Sequence, residues 1–484
     1  MSAQATTAEP AAGVDLRRLG FARGFLVSSS AEPRRPGRFL RREVNGWGVW
    51  HDPVLPALEA DPPPGRSWRR TGILCLGTIL DAEHPEGGAR GALDRLARAL
   101  RRSEEAFLGA LDTMAGRYAL IYETGGRTHV VADAAGTRQV LCYVEDSVQV
   151  SSHARLAARN AARAEPRTLR LRFGYPGRDT SFRRIDLLVP NTRLRLEDGD
   201  VARFWPRRRL RPVSVADAAA EVARLMRNTL RGLAPDHGLA ISVTAGLDSR
   251  VTLALSQGID ARLFTFWRTD EVATDGKDLA FAEAVGPDLG RPVEIMRLRE
   301  MAMPREFVRI LDRNTMRPHV RGLAWGLLTE FARDEPWLHI RSNVSEVGRQ
   351  FYGTPRVPAP PRGLDLARIA MDPRERFSPK EVFGAIEGFE RFARATGILG
   401  CADRVDLASL LYWEHRLASW FANTLVETDV AMGTVSPYNC RRVLELLLSV
   451  PAEHRLRSSV HRRIVATQAP GLTRHPVNGH HLWT

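Results

Sequence analysis

The passage Leu239–Gln257 constrains this chain more than any other. A short apolar run, Leu239–Val243, leads into Thr244–Ala245–Gly246–Leu247–Asp248–Ser249, and a helical pattern follows over Arg250–Gln257. An apolar strand, a turn of small residues with one glycine, and a helix make the opening half of a βαβ unit. A strand pattern over Ala261–Trp267 and a helix pattern over Lys277–Val285 continue it. That alternation predicts a parallel sheet with helices on both faces. The turn also has a chemistry. Small residues let backbone N–H groups approach an anion, and the helix start adds unsatisfied amides and a positive dipole end. Thr244 and Ser249 add hydroxyl donors. Asp248 is misplaced against phosphate alone, but fits if it holds Mg²⁺ bridging to the phosphates. An ordinary strand–turn–helix with Asp248 as N-cap explains the same spacing.

The remainder of the 484 residues divides around this unit. Residues 1–16 are Ala/Thr-rich and read as a flexible lead-in. From Phe21 to about Pro206 short apolar runs alternate with Gly, Asp and Pro turns: Gly24–Val27, Ile73–Ile79, Tyr118–Tyr122, His129–Ala132 and Val140–Tyr143. These are strand signals. Leu93, Leu96 and Leu100 set a helix over about Gly91–Leu100, with a second around Ser103–Leu111. Arg207–Arg211 and Pro212 mark a boundary, and Val215–Leu233 reads as an amphipathic helix burying Ala218, Val222, Leu225 and Leu230. Beyond Val285 the pattern to about Gln468 is largely helical. The expected division is therefore a first domain over 17–206, a linker over 207–216, a second domain over 217–470 and a tail over 471–484.

Composition excludes several classes. The net charge is +14, yet Lys277 and Lys380 are the only lysines and the arginines are dispersed along the chain. Dispersed charge lacks the focused footprint of phosphate-backbone binding, which argues against a nucleic-acid partner. No apolar run approaches the roughly 20 residues needed to span a bilayer. The first twelve residues lack a basic segment followed by an apolar one, so a cytoplasmic location is expected. Cys75, Cys142, Cys401 and Cys440 have no metal-ligand spacing and read as buried thiols.

The turn Ser242–Arg250 (SVTAGLDSR) resembles the SGGLDS loop of the asparagine synthetase family, within the N-type ATP pyrophosphatases. Leu263–Phe266 resembles that family's second strand, which lies beside adenine. Asp278, Ala280, Ala284 and Gly290 match its next helix. Ser342–Glu346, continuing to Tyr352–Gly353, resembles its GxGxDExxxGY segment. Arg416, Asp429, Met432 and Ser436–Arg442 resemble its stretch before and through the PFLD sequence, and Val450–Pro451 and Arg462–Val465 follow. In the first half, Met114–Ala119, Ala132–Leu141, Ser152–Leu156 and Thr180–Trp205 resemble segments of the family's glutaminase-like domain. The likeness runs over about residues 70–470. It implies a glutaminase-like β-sandwich followed by a doubly wound ATP-pyrophosphatase domain. It implies ATP and Mg²⁺ as cofactors, with Ser242–Arg250, Thr265 and Phe266 on the nucleotide. Asp248 and Glu346 would hold metal, and Glu346, Tyr352, Arg462 and Arg463 would serve catalysis.

Three positions depart from the family. Amidotransferase members expose an N-terminal cysteine that hydrolyses glutamine. Here residue 2 is Ser2, so the first half reads as a scaffold and the amine comes from elsewhere. Branches with this loss are β-lactam synthetase-like and lasso-peptide-cyclase-like. Ser345 stands where the family has a metal-holding Asp. Arg462 and Arg463 stand where synthetases carry a lysine; arginine grips phosphate bidentately but does not relay protons. Arg250 is expected to reach pyrophosphate or an acidic neighbour. Together these readings predict an AMP-forming ligase that adenylates a carboxylate and passes it to an amine. A lasso-type macrolactam cyclase and a non-catalytic regulator are the rival readings.

Overall fold

Alternating apolar residues between Phe25 and Arg203 build twelve strands of the computed structural model, which describes residues 15–60, 72–145, 147–267, 272–298, 303–331 and 336–483. Ser2 and nearly all of the predicted lead-in lie outside the described residues. The strands are β1 (Phe25–Ser28), β2 (Leu40–Val44), β3 (Trp47–His51), β4 (Ala57–Glu59), β5 (Ile73–Asp81), β6 (Met114–Thr124), β7 (Arg127–Ala132), β8 (Leu141–Val144), β9 (Val148–Ser151), β10 (Ile185–Leu187), β11 (Thr192–Arg195) and β12 (Val201–Arg203). They form two antiparallel sheets, in the orders β10-β8-β9-β1-β3-β2 and β12-β11-β7-β6-β5-β4. Successive side chains point to opposite faces. Leu74 and Leu76 of β5 therefore meet Phe25, Val27 and Val150 between the sheets. Ile73 and Cys75 face outward onto Leu93, Leu96 and Phe107 of the helices Gly88–Arg102 and Glu104–Ala110. All four cysteines are free and buried.

The second half is built on the predicted βαβ alternation. The helix Val215–Leu233 forms with the bounds its periodicity implies. Strands β13 (Gly238–Ser242), β14 (Arg262–Trp267), β15 (Val293–Arg297), β16 (Trp337–Ile340) and β17 (Gly433–Val435) are parallel, in the order β15-β14-β13-β16-β17. Leu239, Ile241 and Ile340 share one core with the helices Val215–Leu233, Leu247–Leu255 and Ser459–Gln468. Ala240 and Phe264 belong to another, with the helix Arg321–Phe331. Helices thus cover both faces, and the result is a mixed α/β protein. Beyond Val285 the chain is largely helical, as expected, and the three short strands β15, β16 and β17 are the part the pattern did not show. β17 has three residues and β16 four, too few for a period to show.

The two halves are locked by buried ion pairs. Asp429 accepts from Arg117 (Nη2, 2.8 Å) and Arg138 (Nη1, 3.3 Å). Burial alone would raise its pKa, but the two guanidinium groups outweigh it and hold the carboxyl below its ordinary value. Glu414, fully buried, accepts from Arg203 (2.6 and 2.7 Å) and Asn191 (3.0 Å). Trp413 Nε1 donates to the Ala134 carbonyl at 2.7 Å. Among the described residues, no helix is long and apolar enough to cross a membrane.

Candidate functional site

β13 is the first strand of its sheet in sequence but lies third in space, and the chain builds outward from it on one side before crossing to β16 on the other. Ligands of open α/β sheets bind beyond the carboxyl ends of the strands at such a reversal. A cavity of about 160 Å³ lies there. β13 and its turn contribute Ser242, Thr244, Asp248 and Ser249; β14 contributes Phe266; β16 and its exit contribute His339, Arg341, Ser342 and Asn343. The helix Leu247–Leu255 begins at the cavity with Gly246 as its N-cap and no side chain capping its first turn. Its leading amides and dipole end suit an anion. A Cβ on Gly246 would meet only Thr244 Oγ1 at 3.4 Å and Asn478 Oδ1 at 4.0 Å, so this approach is open.

The turn is held from within. Ser249 Oγ donates to the Ser242 carbonyl (3.1 Å) and accepts from the Thr244 amide (3.0 Å). The Ala245 amide donates to Asp278 Oδ1 (2.7 Å), and its carbonyl accepts from the Asn478 amide (3.1 Å). Val243, Ala245 and Leu247 bury their side chains in the core, leaving only backbone for a ligand. Thr265 is buried within β14.

Arg250 does neither of the two things expected of it. Fully buried, it donates to the carbonyls of Leu472 (3.2 Å), His475 (2.6 Å) and Pro476 (2.9 Å), and lies 4.4 Å from the Phe281 ring centroid. Its guanidinium ties down the C-terminal tail. Burial pulls its pKa down to about 10, which leaves it charged at neutral pH.

Asp248 and Glu346 are brought together, but with an unforeseen third member. Arg349 Nη1 lies 2.7 Å from both carboxylate oxygens of Asp248, and Ser345 Oγ donates to Oδ1. His461 Nε2 stands 3.9 Å away, neutral because burial drops its pKa to about 4. Glu346 Oε2 accepts from the Val344 amide (3.1 Å). Val344 has φ 95°, a costly conformation for a β-branched residue and typical of strained site turns. Burial, then the nearby Asp248 charge, pushes the Glu346 pKa up to about 7.

These donors were weighed against a divalent ion. Mg²⁺ is usually held by one or two carboxylates together with substrate phosphates. Both Asp248 oxygens already face a guanidinium, and the second carboxyl has raised proton affinity. Among the described residues, no group of three or more His, Cys, Asp or Glu is placed to hold a metal. As arranged, the donor set does not fit the Mg²⁺ expected at Asp248 and Glu346.

Tyr352 is half-buried, and burial pushes its pKa up to about 12 against the pull of Arg416, which hydrogen-bonds to it. Arg416 is 7% exposed and lies 3.6, 4.5 and 5.0 Å from the ring centroids of Phe173, Phe351 and Trp420. It has no carboxylate within ion-pair distance among the described residues. It sits on a π-helix, Tyr412–Phe421, a form frequent at functional sites. Tyr412 feels the charges of Glu346, Asp248 and Arg416, so the cage adjoins the carboxylate pair. Arg462 and Arg463 are not the residues their helix turns inward. Arg463 is exposed and Arg462 lies 6.0 Å from the Trp483 ring centroid, while His461 faces Asp248. Sequence reasoning missed His461, Arg349, Arg341 and His339. Arg349 had a signal, since it follows Glu346 by three residues within one turn. His339 lines the cavity with both ring nitrogens unpartnered.

Fold and crevice together define a mixed α/β protein with a cavity where the strands of a parallel sheet end. No family model matches the chain, and no curated protein matches it. Some solved structures do. Glutamine PRPP amidotransferase from B. subtilis, complexed with ADP and GMP, is 12% identical over 69% of this chain and 73% of that one, at a TM-score of 0.23. NH3-dependent NAD synthetase from Campylobacter jejuni is 14% identical over 43% of this chain and 90% of that one, at 0.19. Both neighbours are enzymes. At such scores the likeness carries no argument about this chain's chemistry.

Proposed function

We propose that this chain is an ATP-dependent ligase that activates a carboxylate as an acyl-adenylate and passes the acyl group to an amine. The observation that carries this reading is the cavity where β13, β14 and β16 end, with an uncapped helix start on one side and the Arg341 guanidinium on the other. Three phosphates need that convergence of amides and fixed positive charge. Phe266 offers a flat apolar wall for the base.

In the first step a carboxylate oxygen attacks the α-phosphorus, the Pα–O bond to the β-phosphate breaks, and pyrophosphate leaves. Arg341 and the helix amides stabilise the charge on the leaving group. In the second step the amine nitrogen attacks the acyl carbon, the acyl–oxygen bond breaks, and AMP departs. Glu346 takes the proton the amine loses. A carboxyl whose pKa lies near 7 is matched to that exchange at neutral pH. Arg416, caged by aromatic rings and without a carboxylate partner among the described residues, is suited to hold the acid substrate. An acceptor amine on a separate molecule or on the same one fits the chemistry equally.

Pyrophosphate release measured across a panel of acids and amines tests the proposal. Release is expected with some acid and is expected to fall by at least 100-fold, about 2.7 kcal/mol of activation free energy, in Arg341→Ala, which removes the guanidinium given to the leaving pyrophosphate. Equal turnover by the two proteins contradicts it. ATP binding without any turnover supports the regulator reading instead, which the occupied Ala245 amide and the Asp248–Arg349 pair favour.

A further inference from the structure

Asp248 is expected to meet its counter-charge in a bound divalent ion, yet it meets a guanidinium from its own chain. Arg349 Nη1 sits 2.7 Å from each carboxylate oxygen, and Arg349 Nε donates to Ser458 Oγ at 3.1 Å. That second bond ties the guanidinium to the residue preceding the helix Ser459–Gln468. The backbone beneath is equally fixed. At Gly348 a Cβ would lie 2.4 Å from Leu447 Cβ, so the turn carrying Glu346 and Arg349 is pressed against the helix Arg441–Ser449 and cannot shift outward. Arg349 is 27% and Asp248 17% exposed, so the pair is not sealed in the core; Asp248 lines the cavity and Arg349 stands behind it. Arg341 lines the cavity itself, with Nε on Asn343 Oδ1 (2.8 Å) and no carboxylate within ion-pair distance among the described residues.

We propose that Arg349 takes the place of a divalent ion at Asp248, so that nucleotide phosphates bind here against fixed guanidinium groups and without a protein-held metal. The inference rests on the nucleotide reading of the cavity. It follows from charge and geometry. Asp248 has one negative charge, already shared with a permanently charged guanidinium whose Nη1 faces both of its oxygens. A divalent ion added beside that group would face a neighbouring cation and a carboxylate whose charge is already balanced. Phosphate oxygens arriving at the cavity gain the remaining guanidinium donors of Arg349 and Arg341 instead. Ser345 fits the same arrangement, since its hydroxyl donates to Asp248.

The test is titration of ATP into the full chain, once in excess EDTA and once in excess Mg²⁺, followed by calorimetry. Wild-type affinity is expected to differ by less than about threefold between the two conditions. In Arg349→Met, binding in EDTA is expected to weaken by at least about tenfold and to recover with Mg²⁺, because Asp248 is then free to hold the ion. Arg349→Lys keeps the charge and is expected to keep most of the EDTA affinity, which covers the case that the methionine variant misfolds. A wild-type protein that loses tenfold or more of its affinity in EDTA, with both variants behaving alike, overturns the inference and leaves the nucleotide site standing. Absence of ATP binding under both conditions overturns the nucleotide reading, and this inference with it.

Discussion

Glu346 is the residue whose titration the site makes consequential. An unfolded glutamate titrates near 4.3, whereas burial and Asp248 push the folded carboxyl up to about 7. The folded state therefore keeps its proton over a range in which the unfolded chain has lost it. Stability falls as pH rises through that window, from about 4.3 to 7, and levels off above it. In Glu346→Gln that slope disappears. Urea melts at pH 5 and pH 8 should show the wild type losing about 2 kcal/mol relative to the glutamine variant between the two. An unchanged offset would mean that the carboxyl is ordinary, and the proton-accepting role given to it would go too.

At the scale of elements, the C-terminal tail and the turn after β13 behave as one unit. Arg250 holds three tail carbonyls, Asn478 donates to Ala245, and Lys277 Nζ donates to the Asn478 carbonyl at 3.0 Å. Arg250→Met leaves those carbonyls without their donor in a buried place, at a cost of about 2 to 4 kcal/mol. Amide exchange should speed up at Val477–His480 and at Thr244–Gly246 together. Faster exchange in the tail alone would separate the two. The strand–turn–helix around Asp248 was legible because a local apolar run, a glycine and a helical period all agree there. The long helix Val215–Leu233 was legible for the same reason. Short strands such as β17, and partners supplied from far along the chain, were not. His461 and Asp248 are 213 positions apart, and no local pattern can pair them. Arg250 shows the reverse failure: adjacency to the turn suggested pyrophosphate or an acidic neighbour, while the helix carries its side chain toward the tail carbonyls.

The two halves of the molecule share buried charge. Asp429 serves Arg117 and Arg138 across the junction, and its own backbone carbonyl accepts from Arg23 at 3.0 Å. Removing it in Asp429→Ala strands those guanidinium groups in a buried site, with an expected loss of about 3 to 5 kcal/mol. Calorimetry should show one lowered transition for both halves, not two separated ones. Through Glu414, Trp413 and Asp429 the first half braces the segment that carries the π-helix and Arg416.

In the proposed function the switch-point cavity binds ATP through the turn after β13. Gly246→Glu tests it most directly. The position has ordinary backbone angles (φ −70°, ψ 156°) and open space, so the variant should fold and melt like the wild type. Its carboxylate would cover the helix amides and repel phosphate. Calorimetric titration with ATP is predicted to give one saturable site in the wild type and no binding in Gly246→Glu. Equal binding by both proteins, or none by the wild type, would contradict the account.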